Sequence, residues 1–143
     1  MIIQAENLTK RYGGLTAVDG LSFEVDSGEI VGLLGPNGAG KTTTMRMLTC
    51  FIPPTDGTAR IAGHDVLKEP LTVRRQIGYM PESNPLYGEM RIDEYLSFRA
   101  KLKGVPRRER VSNIGWCVER CSLQDVRQQV IRTLSKGYRQ RVG

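Results

Sequence analysis

Residues 30 to 42 read Ile30-Val31-Gly32-Leu33-Leu34-Gly35-Pro36-Asn37-Gly38-Ala39-Gly40-Lys41-Thr42. The first five form an unbroken apolar run, which predicts a strand buried on both faces of a parallel sheet; Gly35-Pro36-Asn37-Gly38 then ends it in a tight turn. Gly35 to Thr42 fit the spacing GxxxxGK(S/T) of a phosphate-binding loop. Gly35, Gly38 and Gly40 give the backbone freedom to curl its N–H groups inward as an anion nest, with Pro36, Asn37 and Ala39 completing the loop. The helix that begins at Lys41 adds its N-terminal dipole. In such a site Lys41 reaches the β- and γ-phosphates of a nucleoside triphosphate and Thr42 places its hydroxyl on Mg²⁺. Thr43 stands near the α-phosphate. A glycine-rich turn that merely links strand to helix has no need of the lysine and the hydroxyl. The loop alone leaves open which nucleotide is bound and what its energy does.

On either side of the loop the pattern is that of a mixed fold. Residues 2 to 8 and 18 to 25 read as short strands and predict an antiparallel flank, Val18, Leu21, Phe23 and Val25 alternating with polar neighbours. A helix is predicted from Lys41 to Leu48, stopped by Pro53-Pro54 and Asp56-Gly57. Ala59 to Ile61 and Ile77 to Met80 read as further strands. Pro81 breaks the pattern, and the composition then turns helical. Ile92, Tyr95, Leu96, Phe98 and Leu102 define one amphipathic face, Gly104-Val105-Pro106 ends it, and a second helix is expected from Arg107 to Cys121. His64, in the stretch IAGHDV, reads as a turn residue. The organisation is a nucleotide-binding core to residue 81 followed by a mostly helical part, with no internal repeat.

With 39% apolar and 25% charged residues in 143, the chain has the composition of a folded soluble protein. No stretch approaches the ~18 apolar residues of a membrane span, and the start lacks a basic segment followed by an apolar run. A cytosolic chain is therefore expected, in which Cys50, Cys117 and Cys121 are buried free thiols rather than disulfide partners. Cys117 and Cys121 have metal-ligand spacing, but no second pair follows and His64 is the only histidine. The net charge of +6 lies wholly in the second half. A basic half is compatible with nucleic acid, yet Arg107-Arg108-Glu109-Arg110 sits in a helical pattern with few aromatics, which favours a solvated face.

Four motifs in order, LTKRYGG (residues 8–14), the phosphate loop, IGYMPE (77–82) and LSKGYRQRVG (134–143), resemble the ATPase domain of ABC transporters. The wording of the last two looks like the bacterial ABC-2 export branch, which includes gliding-motility and drug-export ATPases. The resemblance covers the whole chain. It implies an α/β P-loop ATPase core, a parallel sheet with an antiparallel flank, over residues 1–81, a helical subdomain over 82–134, and the signature with the start of the next helix over 135–143. It implies ATP and Mg²⁺ as cofactors. Tyr12 would stack on adenine, where an aromatic contributes ~1–3 kcal/mol per base, although it also reads as a surface tyrosine in a turn. Val18 would lie beside the base or serve as a core residue of its strand.

Glu82 occupies the position where most members carry a glutamine that touches Mg²⁺ and relays nucleotide state to the membrane subunit. A carboxylate binds Mg²⁺ more strongly but repels a γ-phosphate that lacks the metal; Glu82 also reads as an ordinary loop glutamate. The family signature LSGGQ appears as Leu134-Ser135-Lys136-Gly137-Tyr138. Ser135 and the Gly137 N–H are the groups that would contact a γ-phosphate held by the opposite subunit of a head-to-tail dimer. Lys136 adds charge there, and Tyr138 in place of glutamine puts the usual side-chain contact in doubt. His64 comes too early in the order of motifs to be the family's catalytic histidine. The catalytic set implied within this sequence is Lys41, Glu82 and Ser135.

The family's Mg²⁺-holding acid, its water-activating group and its switch histidine follow the signature, and this sequence reaches Gly143 before them. Residues 1 to 143 are therefore expected to bind nucleotide without turning it over, and to be poorly soluble through exposed sheet surface. By resemblance the full domain hydrolyses ATP to power export through separate membrane permease subunits, lying at the inner face of the cell membrane. Two other readings stay open: a nucleotide-binding module without turnover, and a nucleic-acid-associated ABC protein suggested by the basic second half. An export-like signature speaks against nucleic acid as a partner.

Overall fold

Alternating apolar residues turn the start of the chain into a sheet. A computed structural model describes residues 1–81 and 84–143, which form two units, Met1–Tyr79 and Met80–Gly143. In the first, β1 (Ile3–Tyr12) pairs antiparallel with β2 (Leu15–Val25) across the turn at Gly13 and Gly14. On its other side β1 pairs antiparallel with β3 (Asp56–Ile61), which pairs with the short β4 (His64–Asp65). The order β2-β1-β3-β4 makes β1 an interior strand. The β1–β3 register shifts between Glu6 and Thr9, where Asn7 takes φ +49. Its partner must be small: a Cβ at Gly57 would run into the Asn7 carbonyl oxygen.

One face of this sheet is apolar, and two helices lie in the same core. Helix α1 (Lys41–Leu48) contributes Met47 and Leu48, and α2 (Pro70–Gln76), opened by Pro70, contributes Val73. With Leu8, Val18, Ala59 and Ile61 these form one buried cluster. The antiparallel flank and α1 stand where the sequence pattern puts them. Two predicted strands do not form. Residues 30–34 and 77–80 carry no ladder, so the sheet is antiparallel throughout, and Ile30 and Leu34 are 102% and 91% exposed. An apolar run becomes a strand only when a neighbour accepts its backbone hydrogen bonds, and β1 to β4 pair among themselves.

The second unit is helical. Helix α3 (Ile92–Leu102) starts where the Glu94 carboxylate accepts the Arg91 N–H at 2.8 Å, with Asp93 and Glu94 at its positive end. Gly104 at φ +74 turns the chain into α4 (Arg107–Arg120), and two 3₁₀ turns, Gln124–Val126 and Ile131–Thr133, lead to α5 (Lys136–Val142). Ile92, Tyr95, Val118, Leu123, Ile131, Leu134 and Val142 form the core. Arg127 pairs with Asp93 at 2.6 Å, and the Gln128 amide donates to the other carboxylate oxygen at 2.7 Å.

The expected face of α3 is narrower than its spacing suggested. Ile92 and Tyr95 are buried and Phe98 lies edge-on to Tyr87, but Leu102, in the last turn, is 65% exposed. In the basic run Arg107 and Arg108 are exposed as expected; Arg110 instead donates to the Val105 carbonyl and closes the turn. All three cysteines are free, but only Cys50 is buried; Cys117 and Cys121 are half-buried. Burial pushes the thiols of Cys50 and Cys117 up from their ordinary value. His64 opens β4 beside the turn, its Nδ1 3.0 Å from Glu69. Among the described residues no helix is long and apolar enough to cross a membrane.

Candidate functional site

The glycine-rich loop from Gly35 to Gly40 leads directly into α1. Gly38 and Gly40 take φ +87 and +85, a left-handed conformation that side chains disfavour. Gly40 caps α1 and its carbonyl accepts from the Thr44 N–H at 2.8 Å, while the Ala39 N–H donates to Pro36 at 3.2 Å. The Lys41 ammonium bends over the loop and donates to the carbonyls of Gly35 and Pro36, at 2.5 and 2.7 Å. No acidic residue occupies the first turn of α1, so nothing on that turn offsets the positive helix end. Thr42 is exposed on that turn, Thr43 half-buried and Thr44 buried.

Beside the loop lies a cleft of about 380 Å³, with Thr16, Ala17, Val18 and Asp19 of β2 on one wall and Gly38, Ala39 and Lys41 on the other. The fold thus brings Val18 to the wall of the cleft beside the loop, and Val18 is also a buried member of the core. Tyr12 ends β1, 47% exposed, with the Lys10 ammonium 5.3 Å from its ring centre. It is not among the residues lining this cleft. Thr16, Ala17 and Asp19 carry no motif, and only the pairing of β2 with β1 sets them against the loop. The approach is close: a Cβ on Gly40 would meet the Ala17 carbonyl and stand 2.9 Å from Val18 Cγ2. Glu82, the expected second Mg²⁺ contact, lies outside the described residues. No cluster of three or more histidine, cysteine or acidic side chains suited to a metal occurs among the described residues.

In the second unit Ser135 caps α5, its Oγ accepting from the Tyr138 N–H at 3.3 Å. Gly137 lies in that helix with open surroundings: the nearest atom to an added Cβ is Ser135 Oγ at 4.0 Å. The unit's own packing therefore does not demand glycine there. Tyr138 turns inward against the core and carries the Arg141 guanidinium 5.1 Å from its ring centre. Its ring is partly buried against that core. Lys136 is exposed and has no acidic partner among the described residues. A cleft of about 810 Å³ opens beside it, lined by Arg132, Lys136, Arg139 and Gln140 with Asn84, Leu86 and Gly88.

Comparison with known proteins shows the family of the chain. Residues 18–143 match the family model described as ABC transporter. An uncharacterised ABC transporter ATP-binding protein of Bacillus subtilis is 36% identical over 141 residues, 99% of this chain and 46% of its own length. The daunorubicin/doxorubicin resistance ATP-binding protein of Streptomyces peucetius is 40% identical over 143 residues, 98% of this chain and 42% of its own length. A solved structure described as the ATP binding subunit of an ABC transporter superposes with a TM-score of 0.88 at 30% identity, over 99% of this chain and 59% of that one. The chain thus spans less than half the length of these two curated relatives.

Proposed function

The chain belongs to the ABC transporter ATP-binding family, and from that premise we propose that its first unit holds the triphosphate of ATP while its second presents the signature to a nucleotide on another ATPase subunit. The observation that carries the first half is the loop itself. Two left-handed glycines, a helix start free of acidic side chains and the Lys41 ammonium folded back on the loop lie within one short segment. That donor set suits a polyphosphate. When a phosphate enters, it takes over the lysine hydrogens now held by the carbonyls of Gly35 and Pro36. The Thr42 hydroxyl would hold Mg²⁺, which neutralises the developing charge on the phosphates, and Glu82 is the proposed second contact to that ion. Val18 offers an apolar wall for the base, and Tyr12, half-exposed at the end of β1, a stacking surface.

For the second half, Ser135 and the Gly137 N–H are the proposed contacts to a γ-phosphate across a head-to-tail dimer, with Lys136 adding charge. The uncrowded Gly137 supports this, since the open space leaves room for a ligand to approach the backbone. Export through separate permease subunits at the inner membrane face is proposed from the likeness to a drug-resistance ATP-binding protein. Division into a core (1–81), a helical subdomain (82–134) and the signature (135–143) belongs to the same reading. Residues 1–143 are proposed to bind nucleotide without hydrolysing it.

The test is a thermal melt of the chain with and without Mg-ATP, beside Lys41→Ala. Saturating ligand at about 100 times Kd should stabilise the unaltered chain by ~2.7 kcal/mol and the variant not at all. An equal shift in both would remove the phosphate site. Phosphate release that disappears in Lys41→Ala would show that turnover needs nothing beyond residues 1–143.

A further inference from the structure

The signature turn is held by side chains that lie after it in sequence. Arg139 sends its guanidinium back one turn to donate to the carbonyl of Leu134, the residue that enters the turn. Its own N–H donates to the Ser135 carbonyl at 3.0 Å. Arg139 therefore fastens the backbone on both sides of the bond between Leu134 and Ser135. Leu134 is itself buried in the core, so the clamped carbonyl is tied to a fixed point. Two residues on, Arg141 covers the ring of Tyr138, whose N–H donates to Ser135 Oγ. The exposed members of the motif, Ser135, Lys136 and Gly137, are thus bracketed by anchored groups. Such pre-set geometry spares a site the ordering cost of each contact it makes.

We propose that Arg139 is the positioning residue of the signature turn: through the Leu134 carbonyl it fixes the backbone from which Ser135 and Lys136 project. The role of the turn in contacting nucleotide rests on the proposed function; the clamp itself does not. Arg139 touches no reacting atom. Tyr138 packs against the core, and the Arg139 guanidinium adds the hydrogen bond that holds the Leu134 carbonyl. Its long side chain also forms part of the rim of the neighbouring cleft, so its aliphatic stem is partly shielded while its head reaches the carbonyl.

Amide hydrogen exchange on Arg139→Ala and Arg139→Lys, each compared with the unaltered chain, tests the clamp. In Arg139→Ala the amides from Tyr138 to Arg141, the first in α5 with acceptors, should exchange about tenfold faster or more, while those of α3 and α4 keep their rates. Arg139→Lys retains a donor that reaches the carbonyl and should restore most of the protection. Stabilisation by Mg-ATP, which depends on the first unit, should be the same in all three chains. Unchanged exchange at 138–141, acceleration that spreads equally to α3 and α4, or failure of lysine to rescue would each overturn the proposal. Loss of Mg-ATP stabilisation in the unaltered chain would instead strike the nucleotide assignment and leave the clamp standing.

Discussion

Among single residues, Gly40 shows how one position serves two ends. Its left-handed φ turns the loop into α1, and its bare Cα lets β2 come up against the loop at Ala17. Gly40→Ala should therefore cost ~1–3 kcal/mol of stability through backbone strain and lose the Mg-ATP melting shift as well. A variant that melts like the unaltered chain would show that Ala17 yields freely. The glycine itself was legible in the motif spacing, as were Lys41 and Thr42. The wall supplied by Thr16, Ala17 and Asp19 was not, because no local pattern says which strand a loop will touch. Tyr138 is the reverse case: its departure from glutamine was visible in the sequence, but only packing shows that the ring is turned into the core.

Among the elements, the hairpin of β3 and β4 is fastened by one carboxylate. Burial alone pushes Asp65 up, but the N–H groups of Leu67 and Lys68 at 2.8 and 3.1 Å, the Thr58 hydroxyl at 3.1 Å and the Lys68 charge outweigh it and hold the group below its ordinary value. Because the folded state binds that proton more weakly than the unfolded one, the stabilisation is complete above the ordinary carboxylate value of ~3.9 and fades as pH falls through and below it. Asp65→Asn should accordingly melt lower than the unaltered chain at neutral pH, the gap closing on acidification; a gap of the same size at both ends would mean that charge has no part in it. Helices α1, α3 and α4 followed from period, punctuation and capping residues close in sequence, so their positions could be read in advance. The strands expected at 30–34 and 77–80 could not be settled that way, since a strand exists only by virtue of a partner that sequence proximity does not supply.

For the molecule as a whole, the consequence is an apolar segment left facing water. Ile30, Val31 and Leu34 are all largely exposed, far from the usual disposition of such a run. The chain should bind anilinonaphthalene sulfonate, and Ile30→Lys should weaken that fluorescence without lowering the melting temperature, because Ile30 packs against nothing. Dye binding that is untouched by the substitution would place the apolar surface elsewhere. By itself the sequence determined the glycine-rich loop motif, helices α1, α3 and α4 and the family, because each rests on residues a few positions apart. Tertiary structure decided which runs became strands, that Val18 serves core and cleft together, and that Arg139 clamps the signature turn. These depend on which groups meet across long stretches of chain, where hydrogen-bond partners and packing space are set by the fold and not by the local pattern.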